Sequence, residues 1–343
     1  MNRLQRAALL SLAAATAVLA QPAIADAPAK SVPEQIVDQA SAIFGPQRDG
    51  NRALHAKGIV AEGTFVPTPA AAKLSKAAHF SKGSVPVVVR FSDSTGLPQI
   101  ADTDSNARPN GLSIRFQLAD DEFTDIVAHS YNGFPAATPE DFLKFLQAVG
   151  ASRADAPHPT PIEQFLGTHP AAATFVKSPK PLPASFTTQA YFGVNAFNFT
   201  NAAGKMQPGR YRILPEAGTR YIADEQLAKL APNILSDELR RRLAKGPARM
   251  KLLLQLPEAG DSTTDATAVW PDTRKTVLLG TITLKRVLPD SDAQQRVLAF
   301  SPLNLVDGIQ PSADPLIVAR AAAYGVSFGR RQASLTTTTD GAR

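Results

Sequence analysis

The sequence predicts an α+β protein in which a closed antiparallel β-barrel is surrounded by helices. At least seven runs rich in β-branched or alternating apolar residues are separated mostly by short turns, which is the pattern of a barrel. Segments with helix-start signals fill the longer gaps between these runs. Because no low-complexity linker divides the chain, we expect a single domain over residues 26–343.

The first predicted strands are a single strand followed by a hairpin. Residues 86–91 are rich in valine, and residues 111–118 alternate apolar and polar side chains as a half-buried strand does. Asp120 and Asp121 then predict a turn into a return strand around residues 125–127. Further strands are predicted at residues 190–200, 209–214, 250–257 and 276–287.

Proline and acidic residues mark the starts of the helices. Thr138, Pro139 and the two acids that follow place an N-cap, a proline and negative charge at one helix N-terminus. Asp314 and Pro315 open the last long helix in a similar way. Two other helices are predicted over residues 162–176 and 224–245, the second of them broken near Pro232.

The N-terminus has the order of a secretory signal peptide. Arg3 and Arg6 precede an apolar run over residues 7–20, and Ala23-Ile24-Ala25 forms a small-x-small cleavage site. The apolar run is too short to cross a bilayer as a mature helix. We therefore expect a signal peptide over residues 1–25, export to the periplasm, and no membrane span in the mature chain.

Composition excludes several kinds of chemistry and of partner. The chain has no cysteine, which excludes thiol catalysis, disulfides and thiolate metal ligation. Removal of the signal peptide lowers the formal charge from +6 to +4, because that segment carries two arginines and no acid. The basic run at residues 240–242 follows two acids in a predicted helix, as on a solvated helix face. No nucleic-acid partner is therefore expected.

Two motifs far apart in the chain carry candidate chemistry. In the run Arg52-Ala53-Leu54-His55-Ala56-Lys57-Gly58 an imidazole stands three residues after an arginine. On the predicted last helix, Arg320 and Tyr324 are four residues apart and share one face. A permanent positive charge beside a phenol favours the ionised form of that phenol.

These motifs, together with others in the same order, resemble the haem catalases. Val89-Arg90-Phe91-Ser92 is similar to the strand that follows the distal histidine in that family. The resemblance extends over residues 50–331 and implies a catalase-like haem fold with haem b as cofactor. The other runs that carry it are Asn110 to Phe116, Asp125-Ile126-Val127, Val269-Trp270-Pro271, Phe300 to Val306 and Gly308-Ile309.

The resemblance implies a role for each matching residue. His55 would act as base and then as acid, taking a proton from the peroxide oxygen that binds iron and giving one to the oxygen that leaves. Ser92 would bond the far nitrogen of that imidazole and fix its tautomer, and Tyr324 would ligate iron with Arg320 stabilising its phenolate. Arg52, Arg90 and Arg331 match positions that bind the haem propionates, and Phe91 and Phe142 match apolar walls.

Two of these assignments have a neighbouring alternative. Arg330 stands next to Arg331 in the run Gly329-Arg330-Arg331, so either guanidinium satisfies the propionate-binding pattern. A shift of register on the predicted helix after Thr138 would replace Phe142 by Phe145. We therefore expect one residue of each pair at the cofactor.

The distal amide of the family is the main departure. Catalases place an asparagine pair and Thr-Pro after the strand that matches residues 125–127, and the first asparagine helps to position peroxide. Here direct counting puts His129 at that position, whereas a small shift of register puts Asn132 there. The sequence alone leaves both assignments open, with Asn132 as the candidate that supplies an amide.

The matching region has short flanks: about 29 mature residues precede His55 and 19 follow Tyr324. This is typical of small exported catalase-related peroxidases, which implies reduction of hydrogen peroxide or organic hydroperoxides by an external electron donor. The alternatives are a true catalase, an isomerase acting on lipid hydroperoxides, and a barrel that binds haem or another apolar ligand without catalysis. The sequence identifies no donor and leaves homo-oligomer formation open.

Overall fold

In the computed structural model of this protein, the described residues are 29–81, 83–119 and 121–340. The predicted signal peptide and the domain boundary at residue 26 lie outside them. The described residues from Ser31 onward form one compact unit. The strands of the described residues are β1 (Gly58–Pro67), β2 (Val85–Ser92), β3 (Gly111–Gln117), β4 (Phe123–His129), β5 (Tyr191–Phe192), β6 (Phe197–Thr200), β7 (Met206–Pro215), β8 (Ala248–Gln255), β9 (Thr276–Val287) and β10 (Ile309–Pro311).

Eight of these strands close into an antiparallel barrel. Their order is β7, β5, β4, β3, β2, β1, β9 and β8, and β8 pairs back with β7. Strands β6 and β10 extend the sheet from β7. The closed barrel predicted from the sequence is therefore confirmed. The predicted strand over residues 190–200 is two short strands separated by residues 193–196.

Strand β1 is the barrel strand that the sequence pattern did not predict. It lies between β2 and β9, and its register with β9 shifts between Glu62 and Gly63. A Cβ at Gly63 would lie 2.0 Å from the carbonyl oxygen of Thr283, so this close approach of two backbones requires glycine. A glycine inside the run weakens the strand signal in the sequence, although the fold needs it there.

The helices lie outside the barrel, as predicted. The predicted helix over residues 162–176 is two helices, because Pro170 lacks an N–H and begins a new one. The predicted break near Pro232 is confirmed by a 3-10 helix (Asp224–Lys229) that precedes a separate α-helix. The α-helices of the described residues are α1 (Val32–Phe44), α2 (Pro69–Leu74), α3 (Pro139–Ala151), α4 (Pro161–Thr168), α5 (Pro170–Lys177), α6 (Ile234–Lys245), α7 (Ser291–Val297) and α8 (Pro315–Asp340).

Packing of three helices beside the barrel creates the space for the site. Helix α1 begins at a capping box in which Ser31 and Glu34 satisfy each other's backbone N–H groups, and it contacts both α3 and α8. The barrel interior is a separate core filled by aromatic and aliphatic side chains, among them Phe65, Phe91 and Phe116. In the described part of the chain, no helix is both long and apolar enough to cross a membrane.

Candidate active site

A cavity lies between the outer face of the barrel and helices α1, α3 and α8. Its empty volume is about 1280 Å³ when the part that is open to solvent is included. One wall is formed by β2, β3, β4 and the segment before β1, and the opposite wall by α8. The predicted site residues that line it are Arg52, His55, Arg90, Ser92, Phe142, Arg320, Tyr324 and Arg331.

The backbone of His55 has an unusual conformation. Its φ of 56° lies in the left-handed region, which residues other than glycine adopt at a cost. The His55 N–H donates to the Ser94 carbonyl at 3.1 Å, and the His55 carbonyl accepts from Nη2 of Arg90 at 2.7 Å. These bonds hold the residue in this conformation and direct its side chain into the cavity.

The His55 imidazole is neutral and is held by a hydrogen bond between Nδ1 and Ser92. Nδ1 lies 3.2 Å from the Ser92 hydroxyl oxygen, so the structure brings together the pair that the sequence predicted. Burial and, to a smaller extent, the positive charge of Arg90 lower the pKa of His55 to about 4, although a hydrogen bond to the Asp93 backbone opposes both effects. Near neutral pH this imidazole is therefore able to accept a proton.

A row of cross-strand partners places His129 in the same wall. Ser92 of β2 pairs with Gly111 of β3, which pairs with His129 of β4. Directly paired residues present their side chains on the same face of a sheet, so His129 faces the cavity as Ser92 does. Burial lowers the pKa of His129 to about 3, with a smaller effect of the charge on Arg320.

The structure does not bring Asn132 to the cavity, whose lining residues do not include it. Strand β4 keeps an unbroken register with β3 up to His129, so no shift brings a later residue to this position. Asn132 lies three residues beyond the end of the strand. Of the two residues that the sequence left open, His129 is the one in the wall.

Phe91 does not line the cavity either. Side chains alternate between the two faces of a strand, so Arg90 and Ser92 face the cavity and Phe91 faces the barrel interior. There its ring stacks on Phe186 with the ring centroids 5.1 Å apart. Phe91 is a core residue that supports the wall from inside the barrel.

The apolar wall comes from the start of α3 and the loop before it. Phe142 lines the cavity, whereas Phe145 packs in a separate core cluster with Ile36 and Leu143. Phe134 also lines the cavity, although the sequence pattern did not identify it. The centroids of the Phe134 and Phe142 rings are 5.1 Å apart. Its signal was an aromatic residue followed by proline in the loop after β4.

On the opposite wall, α8 places Arg320 and Tyr324 on one face. Nη2 of Arg320 donates to the Tyr324 phenol oxygen at 3.0 Å. The guanidinium also donates to the side-chain carbonyl of Asn195, whose amide donates to Asp314 at 2.7 Å. Because a guanidinium only donates hydrogen bonds, the phenol oxygen of Tyr324 is the acceptor here. Sequence analysis missed Asn195, which lies between β5 and β6.

Two buried arginines, Arg90 and Arg331, and the half-buried Arg52 meet at one end of the cavity. Arg52 donates to the carbonyls of Gln295 and Leu298, and Arg331 also donates to the Leu298 carbonyl. Arg90 donates to the Gln295 side chain and to the carbonyls of His55 and Ala56. Among the described residues none of the three forms an ion pair, and Nε of Arg331 has no hydrogen-bond partner.

The positive charges of these arginines would be stabilised by an anion at this end of the cavity. Burial lowers the pKa of all three, to about 9 for Arg90 and about 10 for Arg331, and the charge of Arg331 also lowers the pKa of the other two. Buried like charges are costly unless an opposite charge lies beside them. The alternative Arg330 is engaged elsewhere, in an ion pair with Asp38 at 2.7 Å. This end of the cavity is therefore suited to a ligand with carboxylates.

Comparison with known proteins agrees with this geometry. The family model named Catalase matches residues 30–334. The chain belongs to the catalase family. It is 34% identical over 304 residues to a catalase-related peroxidase of Mycolicibacterium paratuberculosis, covering 87% of this chain and 94% of that relative. It is 31% identical over 338 residues to a catalase-related peroxidase of Synechococcus elongatus, covering 97% and 98%. The predicted resemblance to catalases is thus confirmed.

Solved catalases share the fold of this family member. A fungal catalase superimposes with a TM-score of 0.73 at 24% identity, covering 82% of this chain and 59% of the other. Catalase A from Saccharomyces cerevisiae gives a TM-score of 0.73 at 23% identity, covering 83% and 61%. The chain therefore spans about 60% of the length of these solved catalases, and the predicted catalase-like fold is confirmed.

The catalase family implies a haem cofactor, and the cavity fits one. The three arginines offer cationic partners to two carboxylates, and Arg331 has a free buried N–H among the described residues. Ala319 and Ala323 on α8 leave room beside Tyr324 for a flat ligand. Tyr324 supplies a phenol oxygen of the kind that ligates ferric haem iron.

Proposed function

We propose that this catalase-family protein is a periplasmic peroxidase that binds haem b and reduces hydrogen peroxide or organic hydroperoxides with electrons from an external donor. One observation carries the proposal. A single cavity joins a neutral His55, a Tyr324 that accepts from Arg320, and three arginines without a carboxylate partner among the described residues. The relatives named catalase-related peroxidases, which this chain matches over nearly their whole length, support the same activity.

The residues that would hold haem are on both walls. Tyr324 would ligate the iron, and Arg52, Arg90 and Arg331 would bind the two propionates. When bound, haem supplies the iron at which the peroxide is reduced. The type is proposed as b because the chain has no cysteine with which to form thioether bonds to the macrocycle.

His55 would move the proton that the reaction needs. Its neutral imidazole accepts a proton from one peroxide oxygen and returns it to the oxygen that leaves when the O–O bond breaks. Ser92 keeps the ring in place through its contact with Nδ1. In the complete reaction one hydroperoxide gains two electrons and two protons and gives an alcohol and water, or two waters from hydrogen peroxide. The external donor loses those two electrons and two protons.

Two assays on haem-loaded protein test the activity. At low millimolar peroxide we expect oxidation of an aromatic donor to outpace oxygen release, with cumene hydroperoxide accepted as oxidant. An oxygen electrode and a chromogenic donor, used side by side, measure both rates. Vigorous oxygen release with negligible donor oxidation would show a true catalase instead. A colourless protein after expression with adequate haem would indicate a barrel that binds another ligand.

The proposed location has a separate test. Expression in a Gram-negative host should give a mature protein in the periplasmic fraction. Its intact mass should be that of a chain whose first residue is Asp26. The Ala23-Ile24-Ala25 cleavage site supports this expectation. Replacement of Ala25 by a bulky residue should leave the uncleaved precursor in the membrane or cytoplasmic fraction. Full-length protein confined to the cytoplasm would contradict export.

A further inference from the structure

His129 lines the cavity and carries a buried ring nitrogen that no described residue satisfies. Its Nε2 is buried and has no hydrogen-bond partner among the residues that the structure describes. Buried polar groups are nearly always hydrogen-bonded, and an unsatisfied one destabilises the fold. Because His129 lines the cavity, its Nε2 is placed to bond a group that enters the cavity.

The other ring nitrogen of His129 defines what Nε2 offers to that group. The backbone N–H of Tyr131 donates to His129 Nδ1 at 3.3 Å. A neutral imidazole has one donor nitrogen and one acceptor nitrogen, so an accepting Nδ1 leaves the proton on Nε2. His129 is therefore fixed by the backbone of its own loop as a neutral hydrogen-bond donor.

His55 and His129 are neighbours with complementary roles. Gly111 lies between Ser92 and His129 in the row of cross-strand partners, and a Cβ at Gly111 would lie 2.8 Å from His55 Nδ1. The His55 ring therefore lies above Gly111, between the two flanking strands. In this wall His55 offers a nitrogen that accepts a proton, and His129 offers an N–H that donates.

We propose that His129 is a second catalytic residue, whose Nε2–H donates a hydrogen bond to the oxygen of peroxide that becomes negative when His55 accepts its proton. This inference rests on the proposed function. The O–H bond of the peroxide breaks, its proton goes to His55, and the charge left on oxygen meets a donor oriented before the reaction starts. The imidazole of His129 thus supplies a donor where the family pattern has an amide.

Fluoride binding to the haem-loaded ferric protein tests this donor without turnover. Fluoride binds ferric haem as an anion and accepts hydrogen bonds from the distal wall. His129→Leu removes the donor. We expect the affinity for fluoride to fall by about tenfold or more, because a hydrogen bond to a charged group is lost. His129→Gln places an amide N–H near the position of Nε2 and should restore most of the affinity. The charge-transfer band of the fluoride complex should move in His129→Leu and return in His129→Gln.

The control and the contrary outcomes separate the two proposals. His158→Leu removes an exposed histidine that does not line the cavity and should leave fluoride affinity unchanged. Equal fluoride affinity in the wild type and a haem-loaded His129→Leu would overturn the role of His129 alone. His129→Phe also lacks the donor and decides the matter if His129→Leu does not fold. Wild-type protein that binds no haem would overturn the proposed function and this inference with it.

Discussion

Gly111 lies so close to His55 that a Cβ at Gly111 would be 2.8 Å from His55 Nδ1 and 2.6 Å from the Ser92 hydroxyl oxygen. Gly111 is also the cross-strand partner of Ser92. The hydrogen bond between His55 and Ser92 therefore exists only because the neighbouring strand has no side chain at this point. Glycine is required at position 111 because the His55 imidazole packs directly against it.

Gly111→Ala should therefore displace the imidazole while the barrel survives. We expect haem binding to persist and the rate of reaction with peroxide to fall by up to about a hundredfold, because small misplacements of a catalytic group are costly. Stopped-flow measurement at several peroxide concentrations checks this. Gly167→Ala is the matched control, since nothing lies within 4 Å of a Cβ at that position. An unchanged rate in Gly111→Ala would show that the close approach has no functional role.

His55→Ala tests the proton transfer itself. The variant keeps the arginine cluster and Tyr324, so it should retain haem. Its rate of reaction with peroxide should fall by about a hundred- to ten-thousand-fold, the usual contribution of general acid–base catalysis. Because burial lowers the pKa of His55 to about 4, the wild-type rate should be level from pH 6 to 8 and fall only towards pH 4. A rate in His55→Ala equal to that of the wild type would remove His55 from the mechanism.

Tyr324→Phe tests the proposed iron ligand. The substitution removes the oxygen that accepts from Arg320 and would ligate iron, and it leaves the rest of α8 unchanged. We expect a sharp loss of haem per protein, measured by absorbance, with the far-ultraviolet circular dichroism preserved. Tyr221→Phe provides the control, because Tyr221 is exposed and does not line the cavity. A wild-type haem spectrum in Tyr324→Phe would identify another ligand.

Sequence patterns predicted the barrel and most of its strands, but not which face of a strand meets the cavity. Arg90, Phe91 and Ser92 are all buried, since β2 has the barrel core on one side and the cavity on the other. A strand that is buried on both faces shows no alternation of polarity, so Phe91 could not be separated from its neighbours. Strand β1 escaped detection because it contains the glycine required by its shift in register against β9.

The distal wall shows a second limit of the sequence. The choice between His129 and Asn132 depends on where β4 ends and on its register with β3, and both follow from the closure of the barrel. The arginine cluster likewise could not be predicted from the sequence alone. Arg52, Arg90 and Arg331 are far apart in the chain, and only the fold shows that they share an end of the cavity without a carboxylate partner among the described residues. Order and spacing of motifs identify such a family, whereas side-chain environments require the folded chain.

His79 gives a prediction on stability that does not depend on the cofactor. Its side chain lies in the barrel core against Phe80 and Phe116, with ring centroids 4.0 and 5.0 Å away, and burial lowers its pKa to about 3. The unfolded chain, with a histidine pKa near 6.5, binds a proton between pH 6.5 and 3 that the folded protein excludes. His79 therefore does not lower the free energy of unfolding above pH 6.5, and it lowers that free energy progressively as the pH falls from 6.5 towards 3.

His79→Phe should therefore flatten the acid side of the stability profile. Between about pH 6 and 4 the free energy of unfolding of the wild type should fall more steeply than that of the variant, by about 1.4 kcal/mol per pH unit. Urea unfolding at pH 7, 6, 5 and 4.5 measures this difference, and a constant offset from altered packing does not affect it. Phe80→Leu is the control, because it perturbs the same cluster without a titrating group and should lower stability equally at each pH. Parallel profiles for the wild type and His79→Phe would show that His79 is protonated in the folded protein.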